Sequence, residues 1–300
     1  MKTPVAFLIF RRPDLTARVF AAIAAARPPK LLVISDWPTQ PDDQVKCLEA
    51  RRLATQVDWP CEVRTCFATE HMGCKRRVSS GLDWVFSQVE EAIILEDDCL
   101  PHPTFFRFCE EMLEHFRDDQ RVGLISGSNF QKGFRRSPYS YYFSRHISIW
   151  GWATWRRAWR DYDVNMTLWP ELRDGGWHTG MFGTPQEARR FEAIWNQVHA
   201  GKVDTWDSQW QFCRLAQGSY GVTPCVNLIS NLGFRDDALH TNYRHDPFAA
   251  LPLEEMKFPI RHPPYLIWDH VSDRRFNEIA NPLFRYHPRR ILALLRARFR

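Results

Sequence analysis

The sequence predicts an α/β protein in which helices flank a mainly parallel, doubly wound sheet, followed by an aromatic-rich C-terminal elaboration. Two observations predict this fold class. Through the first 130 residues, short apolar runs alternate with stretches whose apolar residues recur at helical spacing. Beyond residue 129 the alternation fades, and runs such as YSYYF and WGWATW take its place.

The first half divides into alternating strands and helices. Residues 5–10 (VAFLIF) form a continuous apolar run, as expected of a strand covered on both faces. A helical repeat follows and stops at Arg27-Pro28-Pro29. The further elements expected in this half are strands at 31–35, 61–66, 92–95 and 122–125 and helices at 41–56, 73–89 and 104–116.

The second half contains fewer regular elements. Helices are expected at about 154–160, 185–199 and 208–217, with a late strand within 222–229. Trp152, Trp155 and Trp159 recur at helical spacing, a pattern more typical of packed core than of a binding surface.

Composition indicates a globular chain with a sizeable buried core, enough for one large domain or two small ones. Of 300 residues, 44% are hydrophobic and 25% charged, which excludes global disorder. No apolar stretch reaches the ~18 residues of a membrane span, and the N-terminus lacks the regions of a signal peptide, so we expect a cytoplasmic location. The eight cysteines form no Cys-x-x-Cys pair and are interpreted as reduced, mostly buried thiols.

The stretch 285–300 is strongly basic, with six Arg and no acid, although the net charge of the chain is only +5. Apolar residues lie between these arginines, so a helix there would have an apolar and a cationic face. Such a helix could contact the inner face of the membrane, or it could be a solvated helix packed on the domain. Nucleic-acid binding is not expected, because the positive charge is concentrated at one end.

An acidic cluster, Glu96-Asp97-Asp98, directly follows the apolar run 92–95. Ligands of open parallel sheets bind at the carboxyl ends of the strands. Three adjacent carboxylates repel one another unless a cation or several donors compensate, and Mn²⁺ or Mg²⁺ prefers such oxygen ligands. The cluster therefore indicates a metal site, while a solvated turn or a helix cap remains the plainer alternative.

Three stretches together carry a resemblance to a known family. They are Leu95-Glu96-Asp97-Asp98, the block WGWATWRRAW at 150–159, and Asn231-Leu232-Gly233-Phe234 followed by Asp237-Ala238 and His240. In this order they resemble bacterial glycosyltransferases of the GT-A superfamily, specifically the family-2-like nucleotide-diphospho-sugar transferases, and more distantly N-acetylglucosaminyltransferase I. The resemblance extends from residue 4 to about residue 245.

The resemblance implies a Rossmann-like GT-A fold, a nucleotide-sugar donor with UDP favoured, and a DxD-type motif that binds Mn²⁺ or Mg²⁺. Asp98 would be the direct ligand, Glu96 and Asp97 would contact ribose, water or metal, and His240 would reach the metal or the diphosphate. The motif departs from Asp-x-Asp because Glu96 comes first. Residues 1–130 would form the donor half, 131–250 the acceptor and catalytic half, and 251–300 a C-terminal extension.

Further donor-site candidates lie at strand ends, at a helix start or in the Trp-rich block, although several are equally explained as turn, cap or core residues. Trp150, Gly151 and Trp152 are expected to line the sugar or acceptor pocket. The full set is Phe10, Arg11, Arg12, Asp36, Gly73, Lys75, Arg76, Trp150, Gly151 and Trp152.

The reaction needs a carboxylate that takes the proton of the acceptor hydroxyl, and two acids precede the helix expected at 208–217. Asp207 is the candidate base and Asp204 its substitute, while a helix cap is the alternative for Asp207. The predicted activity is a metal-dependent, inverting glycosyl transfer to a glycan or lipid-linked acceptor, with retention left open.

Two other classes of protein compete with this interpretation. A sugar-phosphate nucleotidyltransferase would have a Gly-rich loop after the first strand, where this chain reads Arg11-Arg12-Pro13-Asp14. A non-catalytic carbohydrate-binding protein would use the Trp-rich half but would not need the acidic cluster.

Overall fold

The computed structural model describes residues 1–235, 246–249 and 251–280. The strands are β1 (Val5–Ile9), β2 (Lys30–Ser35), β3 (Glu62–Phe67), β4 (Glu91–Glu96), β5 (Cys99–Pro101), β6 (Val122–Ser126), β7 (Tyr141–Ser144), β8 (Trp152–Trp155), β9 (Tyr220–Pro224) and β10 (Ile229–Asn231). The helices are α1 (Pro13–Ala26), α2 (Asp42–Ala54), α3 (Gly73–Gln88), α4 (Thr104–His115), α5 (Arg156–Trp159), α6 (Trp169–Asp174), α7 (Pro185–His199), α8 (Asp207–Ala216) and α9 (His270–Ala280), with a 3₁₀ turn at Trp177–Met181.

Eight of these strands form one mixed sheet in the order β3-β2-β1-β4-β8-β6-β9-β7. Strands β1 to β4 run parallel, and β6 pairs in parallel with β9. Strand β8 is antiparallel to both of its neighbours, and β7 is antiparallel to β9. The predicted fold class, a mainly parallel α/β sheet flanked by helices, is confirmed.

The sheet is covered on both faces, which explains why β1 reads as an unbroken apolar run. Val5, Phe7 and Ile9 of β1 pack into one buried cluster with residues of α1 and α4. Ala6 and Leu8 face the other side, where residues of α3, α5 and α8 cover the sheet. A third apolar cluster lies between α6, α7 and α8.

The prediction of a helix at 154–160 is wrong for Thr154 and Trp155, because residues 152–155 form strand β8 in the middle of the sheet. Residues i and i+3 of a strand point to opposite faces. Trp152 accordingly packs in the cluster beside α3, whereas Trp155 lies in the cluster beside α4. Sheet pairing on both sides overrides the helical spacing of the tryptophans, and the helix is only α5.

The single late strand expected within 222–229 is two strands. Strand β9 ends at Pro224 and joins the large sheet, while β10 pairs antiparallel with β5 in a separate two-stranded sheet. Because β5 begins one residue after the acidic cluster, this small sheet fixes the exit of the cluster.

Strand β7 lies at the outer edge of the large sheet, and a later part of the chain covers it. Residue Trp268 forms an isolated parallel bridge with Phe143, and the Asp269 N–H donates to the carbonyl of Phe143 at 2.9 Å. Asp273 in α9 accepts hydrogen bonds from the Ser144 hydroxyl at 2.5 Å and the Arg145 N–H at 2.9 Å. Within the described ranges, no helix is both long and apolar enough to span a bilayer.

Candidate active site

A cavity of about 480 Å³ opens where strands β1, β2 and β4 end. The carboxyl ends of parallel strands are the usual ligand site of such sheets. Five carboxylates and three guanidinium groups line the cavity, a formal excess of two negative charges. They are Asp36, Glu96, Asp97, Asp98 and Asp207, and Arg11, Arg12 and Arg77.

The acidic cluster is paired with Arg12. Arg12 Nη2 donates to Asp97 Oδ1, and Arg12 Nη1 lies 2.9 Å from Asp98 Oδ2. Asp97 Oδ2 also accepts a hydrogen bond from the Phe10 N–H at 3.2 Å. The single positive charge of Arg12 is thus shared between two acids, while Glu96 forms no ion pair with a basic side chain of the described residues.

Burial and mutual repulsion perturb the cluster. Burial, reinforced by the charge of Asp98, raises the pKa of Glu96 to about 8. Burial also raises the pKa of Asp97 to about 6, although the Arg12 charge opposes the shift. For Arg12, burial works against the charge, but Asp97 and Asp98 outweigh it and raise the pKa further. Such perturbation in a cleft marks a functional site more often than a structural one.

The chain following β10 packs directly on Asp98. The Leu232 N–H donates to the Asp98 carbonyl at 2.8 Å. A Cβ atom on Gly233 would lie 2.3 Å from Asp98 Oδ2, closer than any real contact. A side chain at position 233 would therefore have to displace this carboxylate, which links the Asn231-Leu232-Gly233 stretch to the acidic cluster.

Asp36 is used to hold the turn before α3. Its Oδ1 accepts from the Trp37 and Met72 N–H groups at 2.9 and 3.0 Å, and its Oδ2 accepts from the Gly73 N–H at 3.0 Å. His71 Nδ1 lies 2.7 Å from the Trp37 carbonyl oxygen. Asp36 thus positions the 71–73 turn, and Gly73 serves this turn without lining the cavity.

His71 and Arg77 also line the cavity. Arg77 belongs to the helix start that includes the predicted donor-site candidates Gly73, Lys75 and Arg76; it is buried, donates to the Cys66 carbonyl at 2.9 Å and forms no ion pair with a carboxylate of the described chain. The His71 ring lies 6.2 Å from the ring of Phe10, and no sequence pattern singled it out.

The two acids before α8 have different roles. Asp204 accepts hydrogen bonds from the Cys74 and Lys75 N–H groups, both at 3.0 Å, and thereby caps the start of α3. Asp207 lines the cavity, and its Oδ1 accepts from the Thr205 hydroxyl and the Ser208 N–H. Asp207 Oδ2 makes no hydrogen bond within the described chain. The geometry favours Asp207 over Asp204 as the group that could take a proton.

The Trp-rich block is divided between the cavity and the core. Trp150 lines the cavity. Trp152 is fully buried and stacks on Trp206 at 5.7 Å, so it does not reach the cavity. Gly151 has a φ of +59° and packs against Ile229, so it too lies behind the wall.

Nine of the predicted site residues therefore line one cavity, and six do not. Those that line it are Phe10, Arg11, Arg12, Asp36, Glu96, Asp97, Asp98, Trp150 and Asp207. Those that do not are Gly73, Lys75, Arg76, Gly151, Trp152 and Asp204. His240 lies outside the described residues.

The chemistry of the acidic cluster suits a hard divalent cation, but the described residues do not provide a complete set of ligands. Among residues 1–235, 246–249 and 251–280, no group of three His, Cys, Asp or Glu side chains is placed to hold an ion. A Mg²⁺-like ion is commonly bound by one or two carboxylates, with water and substrate phosphates supplying the rest. Glu96 and Asp98 fit that partial role.

No protein-family model and no curated protein matches the chain. Among solved structures, it is similar to residues 1–349 of S. aureus TarS, with 9% identity and a TM-score of 0.41, over 78% of this chain and 61% of that one. The chain thus spans less than two thirds of that TarS fragment. The galactosyltransferase LgtC, in complex with donor and acceptor sugar analogues, matches with 10% identity and a TM-score of 0.39, over 93% of this chain and 96% of that one. The 4-diphosphocytidyl-2C-methyl-D-erythritol synthase of Anaerococcus prevotii matches with 6% identity and a TM-score of 0.38, over 74% of this chain and 88% of that one.

Proposed function

We propose that the chain is a GT-A glycosyltransferase that moves a sugar, with inversion, from a nucleotide-diphospho-sugar to a glycan or lipid-linked acceptor. The observation that carries the proposal is the cavity at the ends of β1, β2 and β4, where the acidic cluster, Arg12 and Asp207 meet. The family resemblance of the sequence motifs supports the same reaction, with UDP as the favoured nucleotide.

Charge supports a role for a divalent cation. The cavity lining has more carboxylates than guanidinium groups, even with Glu96 protonated at neutral pH, so an anionic diphosphate would be repelled unless a cation accompanied it. Asp98 and Glu96 would hold Mn²⁺ or Mg²⁺, with the diphosphate completing the ligand set. When bound, the ion would neutralise charge on the departing nucleoside diphosphate.

The protein's own groups have distinct roles in this proposal. Phe10 and His71, whose rings face the cavity beside the Asp36-supported turn, would enclose the nucleobase. Arg11 and Arg77 also contribute positive charge to the lining of the cavity. Asp207 would accept the proton of the acceptor hydroxyl as that oxygen attacks the anomeric carbon, while Trp150 would pack against a sugar ring.

The proposal is tested by incubating the protein with a panel of nucleotide sugars, with and without Mn²⁺. Release of free nucleoside diphosphate that requires Mn²⁺ and is lost in Asp98→Asn is the expected result. Pyrophosphate released from a sugar phosphate and a nucleoside triphosphate would indicate a nucleotidyltransferase instead. Glycan binding that survives Asp98→Asn, without nucleotide binding, would indicate a carbohydrate-binding protein.

The acceptor side of the proposal rests on the basic stretch 285–300, which lies outside the described residues. If this stretch holds the protein at an anionic membrane surface, deleting it should reduce transfer to a lipid-linked acceptor and leave donor hydrolysis intact. Unchanged transfer in membranes would contradict the membrane contact.

A further inference from the structure

We propose that the Arg12 side chain occupies the acidic cluster in the free protein and prevents a divalent metal from binding there, so that the metal binds together with the nucleoside diphosphate. The inference rests on the proposed function for the identity of the nucleotide. It concerns a different property, which is the order and coupling of binding at the acidic cluster.

The contacts of Arg12 place it on one of the oxygens that a metal would need, which is Asp98 Oδ2. Its two terminal nitrogens are shared between Asp97 Oδ1 and Asp98 Oδ2, and its side chain is largely buried. A charge-assisted pair of this kind is stronger than a neutral hydrogen bond. A cation that coordinates Asp98 Oδ2 would have to displace Arg12 or share the oxygen with it, against the repulsion of two positive charges.

The backbone of Arg12 is fixed, so only its side chain would have to move. Arg12 precedes α1, and its carbonyl accepts hydrogen bonds from the Thr16 N–H and the Thr16 hydroxyl, both at 2.9 Å. Pro13 follows at the first helical position, where its fixed φ suits the start of the helix. The guanidinium can therefore leave the cluster by side-chain rotation without disturbing the helix.

A nucleoside diphosphate would release Arg12, since its oxygens offer the guanidinium an alternative anionic partner in the same cavity. Asp98 would then be available to a metal that also binds the diphosphate. By linkage, nucleotide and metal raise each other's affinity by the same factor. The neighbouring Arg11 has no such effect, because it pairs with Asp43 and not with the cluster.

The experiment measures Mn²⁺ affinity directly, by titration with electron paramagnetic resonance of free Mn²⁺, with and without UDP. The variants are Arg12→Met, which removes the charge, Arg12→Lys, which keeps it, and Arg121→Met as the control, because Arg121 is an exposed arginine that pairs with Asp119 and does not line the cavity. Without UDP, Arg12→Met should bind Mn²⁺ at least tenfold more tightly than the unmodified protein. Arg12→Lys and Arg121→Met should stay within threefold of it.

In the unmodified protein, UDP should tighten Mn²⁺ binding at least tenfold, a measurement that stands even if Arg12→Met does not fold. The inference is overturned if UDP binds to the unmodified protein but leaves its Mn²⁺ affinity unchanged, or if a folded Arg12→Met binds Mn²⁺ no more tightly than the unmodified protein. If Arg12→Met gains Mn²⁺ affinity but UDP binds to neither protein, Arg12 does exclude the metal, and the nucleotide-sugar function fails separately.

Discussion

Replacing Gly233 by alanine should impair the proposed nucleotide site and leave the fold intact. The new Cβ would lie 2.3 Å from Asp98 Oδ2 and 3.0 Å from Asn231 Oδ1, whereas ordinary van der Waals contacts begin at 3.4 Å. The Asp98 carboxylate would therefore have to move by about 1 Å, and a misplacement of that size can cost about 10²-fold in rate. Gly233 has no positive φ that would strain alanine, so the effect should come from the carboxylate.

The assay is kcat/KM for release of nucleoside diphosphate from the preferred nucleotide sugar, together with thermal unfolding. Gly180→Ala is the matched control, because a Cβ there meets no atom within 4 Å. We expect a loss of about 10²-fold for Gly233→Ala and none for Gly180→Ala, with both melting temperatures close to that of the unmodified protein. Full activity of Gly233→Ala would refute the proposal that Asp98 is a metal ligand at the reacting site.

Three further predictions concern the two acids at the start of α8, a buried contact between glutamate and histidine, and the core. Asp207→Ala should lower kcat by about 10²–10⁴-fold. Asp204→Ala should mainly lower the free energy of unfolding, by about 1 kcal/mol, because it removes a helix cap. Equal losses of kcat in the two variants would contradict the assignment of different roles to the two acids. Glu187 Oε1 lies 2.8 Å from His146 Nε2. Burial raises the pKa of Glu187, but the contact with His146 counteracts burial and the net shift is downward. The contact should therefore stabilise the fold fully above the pKa that Glu187 has in the unfolded chain, and this stabilisation should be lost as the pH falls through the lower pKa of the folded state. We expect the difference in melting temperature between the unmodified protein and Glu187→Gln to narrow below about pH 4.5. A difference that widens on acidification would contradict this sign. Trp152→Ala should cost about 3–5 kcal/mol in urea unfolding, because the ring is fully buried, and a loss below about 1 kcal/mol would mean that the cluster repacks.

The sheet and the acidic cluster could be predicted because their signals are local. An apolar run such as that of β1 reports burial on both faces, and the position of Glu96-Asp97-Asp98 after β4 follows from the same pattern. The contact of Arg12 with Asp97 and Asp98 crosses about 85 positions of sequence, and no periodicity reports it. Sequence position suggested Arg12 but not its partner.

The two acids before α8 show why local patterns could not assign roles. Asp204 and Asp207 are three residues apart, and both are plausible caps or bases. Only the packing of α3 against this segment shows that Asp204 faces the N–H groups of Cys74 and Lys75 while Asp207 faces the cavity. For Trp152, sheet pairing on both sides overrode a helical spacing that the sequence displayed clearly.

The cover on strand β7 has a consequence for how the protein behaves when it is shortened. An uncovered outer strand offers unpaired N–H and C=O groups to any other strand, which is a common route to self-association. Because Trp268, Asp269 and Asp273 occupy that position, a version ending before residue 268 would present a bare edge and leave the Ser144 hydroxyl without its acceptor. The segment 268–273 should thus also protect the protein from self-association through the β7 edge.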